Sequence, residues 1–285
     1  MKRSGSFRSE FLKVRKTKPF KICLLLQLAS LIANLVSFIV NSIVYQNEEY
    51  LNAAVQQYRA VGRSDEAIDF FIESSLHPKA FDYLSMCCVG VIICGIFAVL
   101  FFTRDQHFGI FQQLIARGVS RKELYFVKLK TSFLAALSFT AVGILVLFVG
   151  MGLIFSFGIP SDIDIPLYVL KYVGAVLLSA WLFVAFAQMV STFAKSSTVA
   201  VVIVFLTDVV GMFIKGLLNA VFAYGTGGDI GRFWFASTPY QMFDSSLPLK
   251  SYLTYGVLVV AYALFFTIIG YARFSKISLA PETTA

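Results

Sequence analysis

Long, unbroken runs of apolar residues divide the chain into segments of membrane-spanning length. Six such runs lie at 22–45, 84–102, 132–157, 167–190, 198–221 and 252–271. A helix needs roughly 20 apolar residues to cross about 30 Å of hydrocarbon, and these runs meet that length. Because the apolar positions are continuous and do not alternate, the pattern predicts helices rather than barrel strands. We therefore expect an all-α, polytopic membrane protein with six transmembrane helices, forming one transmembrane domain over 1–285.

The composition supports this prediction. The chain is 58% hydrophobic and 14% charged, whereas soluble domains average about 45–50% apolar and about 25% charged residues. Its four cysteines lie in or beside the apolar runs, without the spacing of a metal site, and are expected to pack as small buried side chains: Cys23, Cys87, Cys88 and Cys94. The polar residues Asn34 and Gln188 are expected to form interhelical hydrogen bonds.

The positions of the charges predict an orientation. The net charge is +8, but the basic residues cluster at the ends of apolar runs and do not form a soluble, nucleic-acid-binding face. Eight basic residues and one acidic residue precede or open the first run, and segment 103–131 has six bases against two acids, whereas segment 46–83 has three bases against seven acids. By the positive-inside rule both termini are cytoplasmic, in a multi-pass protein of the cell membrane.

The first 20 residues predict a helix that lies on the membrane. Phe7, Phe11 and Val14 recur at i, i+4 and i+7 among basic residues. An apolar stripe with a cationic face suits an anionic lipid surface. Pro19 then separates this amphipathic helix from the first span.

Two of the predicted external segments are expected to contain helices. In segment 46–83, Leu51, Val55 and Tyr58 lie on one helical stripe. Segment 222–251 is too apolar for a solvated loop and too interrupted by Gly and Pro for a span. It predicts a re-entrant helical hairpin before the last span, where protein or water covers the irregular backbone.

Segment 103–131 carries the most specific pattern in the chain. Four apolar residues form one stripe at helical spacing: Phe108, Phe111, Leu114 and Ile115. Gly118 ends this helix. Ser120 and Glu123 then form a capping box that opens a second helix. The pattern predicts a helix–turn–helix along the cytoplasmic face, which either docks a cytoplasmic partner or only anchors the loop at the membrane interface.

This segment resembles the cytoplasmic coupling segment of type-two ABC transporter permeases. The matching positions are a charged cluster, a glycine, a helix leucine, a second glycine, a Ser-Arg pair and a lysine: Arg104, Asp105, Gly109, Leu114, Gly118, Ser120, Arg121 and Lys128. The chain departs from that pattern at His107 and Ile110. The amphipathic N-terminal helix, the six spans and the broken hydrophobic hairpin are compatible with the same family.

The resemblance implies a permease subunit of an ATP-driven exporter. Two permease copies, identical or homologous, would assemble in the bilayer with two ABC ATPase subunits, which would hold ATP and Mg. This chain has no Gly-x-x-x-x-Gly-Lys-Ser/Thr phosphate loop, so it is expected to bind no cofactor and to have no catalytic residues of its own. The contact with the ATPase is predicted to involve Phe108, Gly109, Phe111, Leu114, Gly118, Ser120, Arg121 and Glu123. With 30 Phe residues, we expect an apolar or amphipathic cargo, such as a peptide, toxin or drug-like molecule.

One acidic residue lies within an apolar run. Asp208 is near the middle of the run at 198–221, and Lys215 follows seven residues later. A charge at mid-bilayer costs at least about 2.5 kcal/mol, so Asp208 is predicted to line a translocation path or a helix interface. Two other hypotheses remain open: an ion-gradient carrier that uses Asp208, and a non-transporting scaffold or immunity protein.

Overall fold

A computed structural model of the chain describes residues 14, 16–60, 65, 68, 69, 72, 76, 90–154, 165–194, 196–226, 233–243 and 247–277. It does not describe the side chains of some helical residues, among them Asp208 and Lys215.

All regular structure within these ranges is helical, and no strand occurs in them. In chain order the helices are α1 (Lys18–Tyr45), α2 (Glu48–Ala60), α3 (Gly90–His107), α4 (Ile110–Ala116), α5 (Arg121–Ile154), α6 (Ile165–Phe193), α7 (Ser197–Thr226), α8 (Thr238–Gln241) and α9 (Leu249–Lys276). The all-α prediction is confirmed for the described part of the chain.

Four segments of these helices are long and apolar enough to cross a membrane: Lys18–Tyr45, Arg121–Ile154, Pro166–Phe193 and Leu249–Lys276. They coincide with four of the six predicted spans. The other two predicted spans correspond to α3 and α7, which are helical over their described residues. These helices are compatible with a membrane protein.

The boundaries differ most at α5. Its 34 residues begin at Arg121 rather than near 132. The second helix of the predicted helix–turn–helix is therefore the first part of α5, and it leads directly into the predicted third span. Since no helix-breaking residue lies between Arg121 and the apolar run, the helix continues unbroken.

The N-terminal prediction can be compared only in part. Val14 is helical and fully buried, and Pro19 lies in the first turn of α1, where its missing N–H costs no hydrogen bond. Phe7 and Phe11 lie outside the described residues. The helix predicted around Leu51 and Val55 is confirmed as α2.

The chain forms two compact units. The first comprises Met1–Leu25, Cys88–Thr140 and Asp164–Ala285. Its core contains aromatic rings from three helices: the ring centroid of Phe139 lies 4.9 Å from that of Phe20 and 5.4 Å from that of Phe97. Cys23 and Cys94 are buried free thiols, as predicted.

The second unit comprises Leu26–Cys87 and Ala141–Ile163. Here two glycines of α5 face side chains of α1. A Cβ at Gly143 would lie 3.2 Å from Nε2 of Gln27, and one at Gly150 would lie 3.3 Å from Leu35. Small residues at these positions permit close helix contact. Asn34 donates to the carbonyl of Ser30 in its own helix, so its predicted interhelical bond was wrong.

After α7, the described segment 233–243 packs deep along α9 and α6. The Phe235 ring lies 5.1 Å from that of Phe266, which is 17 residues into α9 and so about 26 Å along it at ~1.5 Å per residue. The chain turns there, because the Trp234 carbonyl accepts hydrogen bonds from the backbone N–H groups of Ser237 and Thr238. The segment then returns toward the start of α9, where Lys171 Nζ donates to the Leu247 carbonyl at 2.8 Å.

Candidate functional site

The short helix α4 is bounded by two glycines in the left-handed region. Gly109 has φ +64° and Gly118 has φ +86°, which other residues rarely adopt. At the C-terminal end, Val119 N–H donates to the Leu114 carbonyl at 3.0 Å, and Gly118 N–H donates to the Ile115 carbonyl at 2.9 Å. This is a Schellman motif, and it satisfies carbonyls that the helix itself leaves free. The predicted stop at Gly118 is confirmed.

Ser120 begins the next helix. Its Oγ accepts a hydrogen bond from the backbone N–H of Glu123 at 3.2 Å, and α5 starts at Arg121. The N-cap half of the predicted capping box is therefore confirmed. Because a Schellman motif and an N-cap are only two residues apart, the turn between α4 and α5 is fixed by local hydrogen bonds.

A buried aromatic cluster fixes α4 against three longer helices. We call it the α4 cluster; it consists of Phe102, Phe111, Leu124, Tyr125 and Phe274. The ring of Phe111 lies 5.2 Å from that of Phe102 on α3 and 5.5 Å from that of Phe274 on α9. Tyr125 on α5 completes the cluster, 5.8 Å from Phe274. The distances and tilts are those of favourable aromatic pairs.

Arg121 joins the start of α5 to the end of α9. Its Nη1 donates to the carbonyls of Ser275 at 2.9 Å and Ile277 at 2.7 Å, with a longer contact to Phe274 at 3.4 Å. The last carbonyls of a helix have no intrahelical partners and carry partial negative charge, so a guanidinium is a strong cap. Arg121 therefore holds the C-terminal end of α9 against the α4–α5 turn.

A buried ion pair joins α3 to α5 next to the α4 cluster. Lys128 Nζ donates to Oδ2 of Asp105, and the Lys128 side chain is 1% exposed. The same ammonium lies 4.0 Å from the ring centroid of Phe101. A carboxylate and an aromatic face thus stabilise a charge that would otherwise be costly to bury.

Close helix contact extends the same assembly to α6. Gln188 donates from Nε2 to the Tyr125 carbonyl at 2.9 Å, which confirms its predicted interhelical hydrogen bond. Gly270 on α9 faces the Tyr125 hydroxyl, and a Cβ added at Gly270 would lie 3.0 Å from the Cα of Met189. A larger residue at 270 would push these helices apart.

The outer side of this assembly exposes one large aromatic residue. Phe108 lies in the turn between α3 and α4 with 68% of its surface exposed, and the Arg104 guanidinium is 6.0 Å from its ring centroid. Arg117, Lys122 and Glu123 are also exposed. The exposed side thus combines an aromatic side chain with a surplus of positive charge.

The structure separates residues that the sequence placed on one stripe. Phe111 faces the interior at 1% exposure and Leu114 packs against the α4 cluster, whereas Phe108 faces outward. The stripe is divided because α3 runs to His107 and Gly109 reverses the backbone before α4 begins. Phe111 and Leu114 therefore support α4, and Phe108 remains available for contact.

The predicted polar residues of α7 cannot be compared with this site. Asp208 and Lys215 lie within α7, but the structure does not describe their side chains. Among the described residues, no group of three or more His, Cys, Asp or Glu side chains is placed to hold a metal ion.

The sequence matches one protein family. The family described as "Protein of unknown function (DUF2705)" matches residues 21–280. The chain belongs to the DUF2705 family. A search of curated proteins and a search of solved structures found no match. In this DUF2705 protein the matched region includes α4, the α4 cluster, and the Lys128–Asp105 ion pair.

Proposed function

We propose that this DUF2705 protein is the membrane permease subunit of an ABC exporter with six spans and cytoplasmic termini, and that α4 is its contact with the ATPase. The observation that carries the proposal is the α4 cluster: Phe111 packs directly against Phe102 and Phe274. A force applied to α4 would therefore reach three long helices through packed side chains, since tightly packed groups transmit displacement.

The exposed side of α4 supports a docking role. Aromatic and arginine side chains are enriched at protein interfaces, where a single aromatic often serves as the central anchor. Phe108 is such a residue, with Arg104 over its ring. An ATPase subunit with an apolar groove and acidic rim is the partner that these groups fit best.

The cargo would be apolar or amphipathic. The exposed surface of the candidate spans consists of large hydrophobic residues, among them Leu145, Leu170 and Val257. Such walls solvate an apolar molecule without cost and give a sugar or ion no polar partners. Peptides, toxins and drug-like molecules are the classes of cargo that fit.

Arg121 is a poor probe of docking. Its guanidinium caps α9, so Arg121→Glu would disturb the permease itself whether or not an ATPase binds. Phe108 is the better probe, because its side chain is mostly exposed. Its matched control is Phe213 on α7, which is 72% exposed.

The test is co-purification of the full chain with its genomic neighbours in mild detergent, followed by titration of the retained ATPase. Wild type and Phe213→Ala should retain an ATPase that carries a phosphate loop. Phe108→Ala should weaken binding about 30-fold or more, because loss of a central aromatic anchor costs about 2 kcal/mol or more. If wild type retains no ATPase, the proposal fails, and the hypotheses of a carrier using Asp208 or a non-transporting scaffold replace it.

The six-span topology has its own test. Arg117 lies on the exposed turn after α4, so a cysteine introduced by Arg117→Cys should react with a membrane-impermeant maleimide only after the cells are opened. Labelling of intact cells at this position would reverse the proposed orientation.

A further inference from the structure

A shallow apolar groove lies at the turn between α6 and α7. Its volume is about 380 Å³, and it is lined by Met189, Val190, Phe193, Ala194, Val199 and Ile203. Three of these side chains are substantially exposed: Phe193 at 55%, Val199 at 48% and Ile203 at 42%. A cavity of this size can hold a chain-like apolar ligand, since small-molecule sites span about 300–1,000 Å³.

A cation lies at the edge of this groove. The Arg273 guanidinium is 5.7 Å from the ring centroid of Phe193, which lines the groove. Arg273 and Lys276 are both exposed on the last turns of α9. Within the described part of the chain no carboxylate pairs with Arg273, so its charge remains available to an anion.

The groove lies at the ends of two candidate spans, and the ends of spanning helices lie where lipid headgroups meet hydrocarbon. Phe193 ends the candidate span Pro166–Phe193, and Arg273 lies one turn from the end of the candidate span Leu249–Lys276. Basic residues at this level of a helix bundle meet phosphate groups on one side and acyl chains on the other.

We propose that this groove binds one phospholipid with an anionic headgroup. An acyl chain lies against the apolar lining, and the headgroup phosphate pairs with Arg273 and Lys276. A lipid is favoured over a protein partner because the groove combines an apolar lining with a cation at its edge, which matches an acyl chain and a phosphate. The site does not depend on an ATPase, so a negative lipid-binding result would not contradict the proposed function, and a missing ATPase would not contradict the lipid site.

The experiment uses the purified, delipidated full chain and measures binding of phosphatidylglycerol and phosphatidylcholine by native mass spectrometry, with thermal unfolding in each lipid as a second readout. Wild type should prefer phosphatidylglycerol. Arg273→Gln should reduce that preference about fivefold, the effect of about one basic residue at a membrane surface. Arg117→Gln, which removes an exposed arginine that does not line the groove, should leave the preference unchanged.

Further experiments distinguish the phospholipid from other occupants of the groove. Val199→Trp fills the groove and should weaken binding of both lipids while leaving unfolding in detergent unchanged. Glycerol phosphate, which has the anion without acyl chains, should not stabilise the protein. Equal preference in wild type and Arg273→Gln, or equal protection by glycerol phosphate, would overturn the proposal. So would a lipid-independent Val199→Cys cross-link between two copies, because a second chain would then cover the groove.

Discussion

The α4 cluster makes a quantitative prediction about the local stability of α4. Phe111 is 1% exposed and contacts rings from α3 and α9, so Phe111→Ala removes a fully buried aromatic side chain. Such truncations cost about 3–5 kcal/mol. Phe108 is 68% exposed, and a surface substitution of that kind changes stability by about 0.5 kcal/mol or less. The two variants lose the same atoms but should differ greatly in effect.

Hydrogen exchange measures this difference at α4 itself. The lost energy should reduce the free energy of opening α4. Exchange of the hydrogen-bonded amides in 113–116 should then accelerate about 10²- to 4 × 10³-fold in Phe111→Ala, at about 1.4 kcal/mol per tenfold. In Phe108→Ala the acceleration should stay within about twofold to threefold. Amides in the centre of α6 should exchange equally in both variants. Similar exchange rates at α4 in the two variants would show that Phe111 does not hold α4. The proposal that α4 transmits force to the long helices through Phe111 would then fail.

Two further predictions concern buried contacts, measured by thermal unfolding in detergent. Lys128→Met leaves the Asp105 carboxylate buried without its partner and should lower the free energy of unfolding by about 3–5 kcal/mol. Adding Asp105→Leu should recover most of this loss. A double variant as unstable as the single one would contradict a stabilising role for the ion pair. Gly211→Val should displace Trp234 and destabilise the protein, because an added Cβ at 211 would lie 2.9 Å from the indole Nε1. Adding Trp234→Ala to the same chain should relieve this clash. Equal destabilisation by Gly211→Val with and without the indole would show that the clash is not with Trp234.

Much of the helical structure was predictable because its signals are local. Apolar runs, glycines and capping residues act within a few positions of one another, so the stop at Gly118 and the N-cap at Ser120 were readable from the sequence. The continuity of α5 was not, since a polar first part and an apolar second part of one helix resemble two elements when only hydrophobicity is considered.

The α4 cluster was not predictable. Phe102 and Phe274 lie far apart in the chain, and Arg121 reaches carbonyls more than 150 residues away. In helices of membrane-spanning length, hydrophobicity also fails to separate buried apolar residues from lipid-facing ones, because lipid is as apolar as a protein core. Nothing in the local pattern distinguishes the buried Phe111 from the exposed Phe108; the division depends on the left-handed backbone at Gly109.

Side-chain packing stabilises α4 more than its own backbone does. Gly109 and Gly118 flank the helix, and both occupy conformations that give the chain a sharp turn at each end. A seven-residue helix between two such turns has little stability of its own, since isolated helices shorter than about 12 residues are marginal. Phe111 in the α4 cluster therefore fixes α4, while Arg121 holds the end of α9 beside it.

This arrangement determines how a displacement of α4 would spread. The packed rings oblige the ends of α3, α5 and α9 to shift with the helix. On α9, Phe274 faces the α4 cluster while its neighbour Arg273 lies over Phe193 at the lipid groove. The same turn of α9 thus contacts both the proposed coupling helix and the proposed lipid site. Side-chain packing, and not backbone continuity, is what connects α4 to α9.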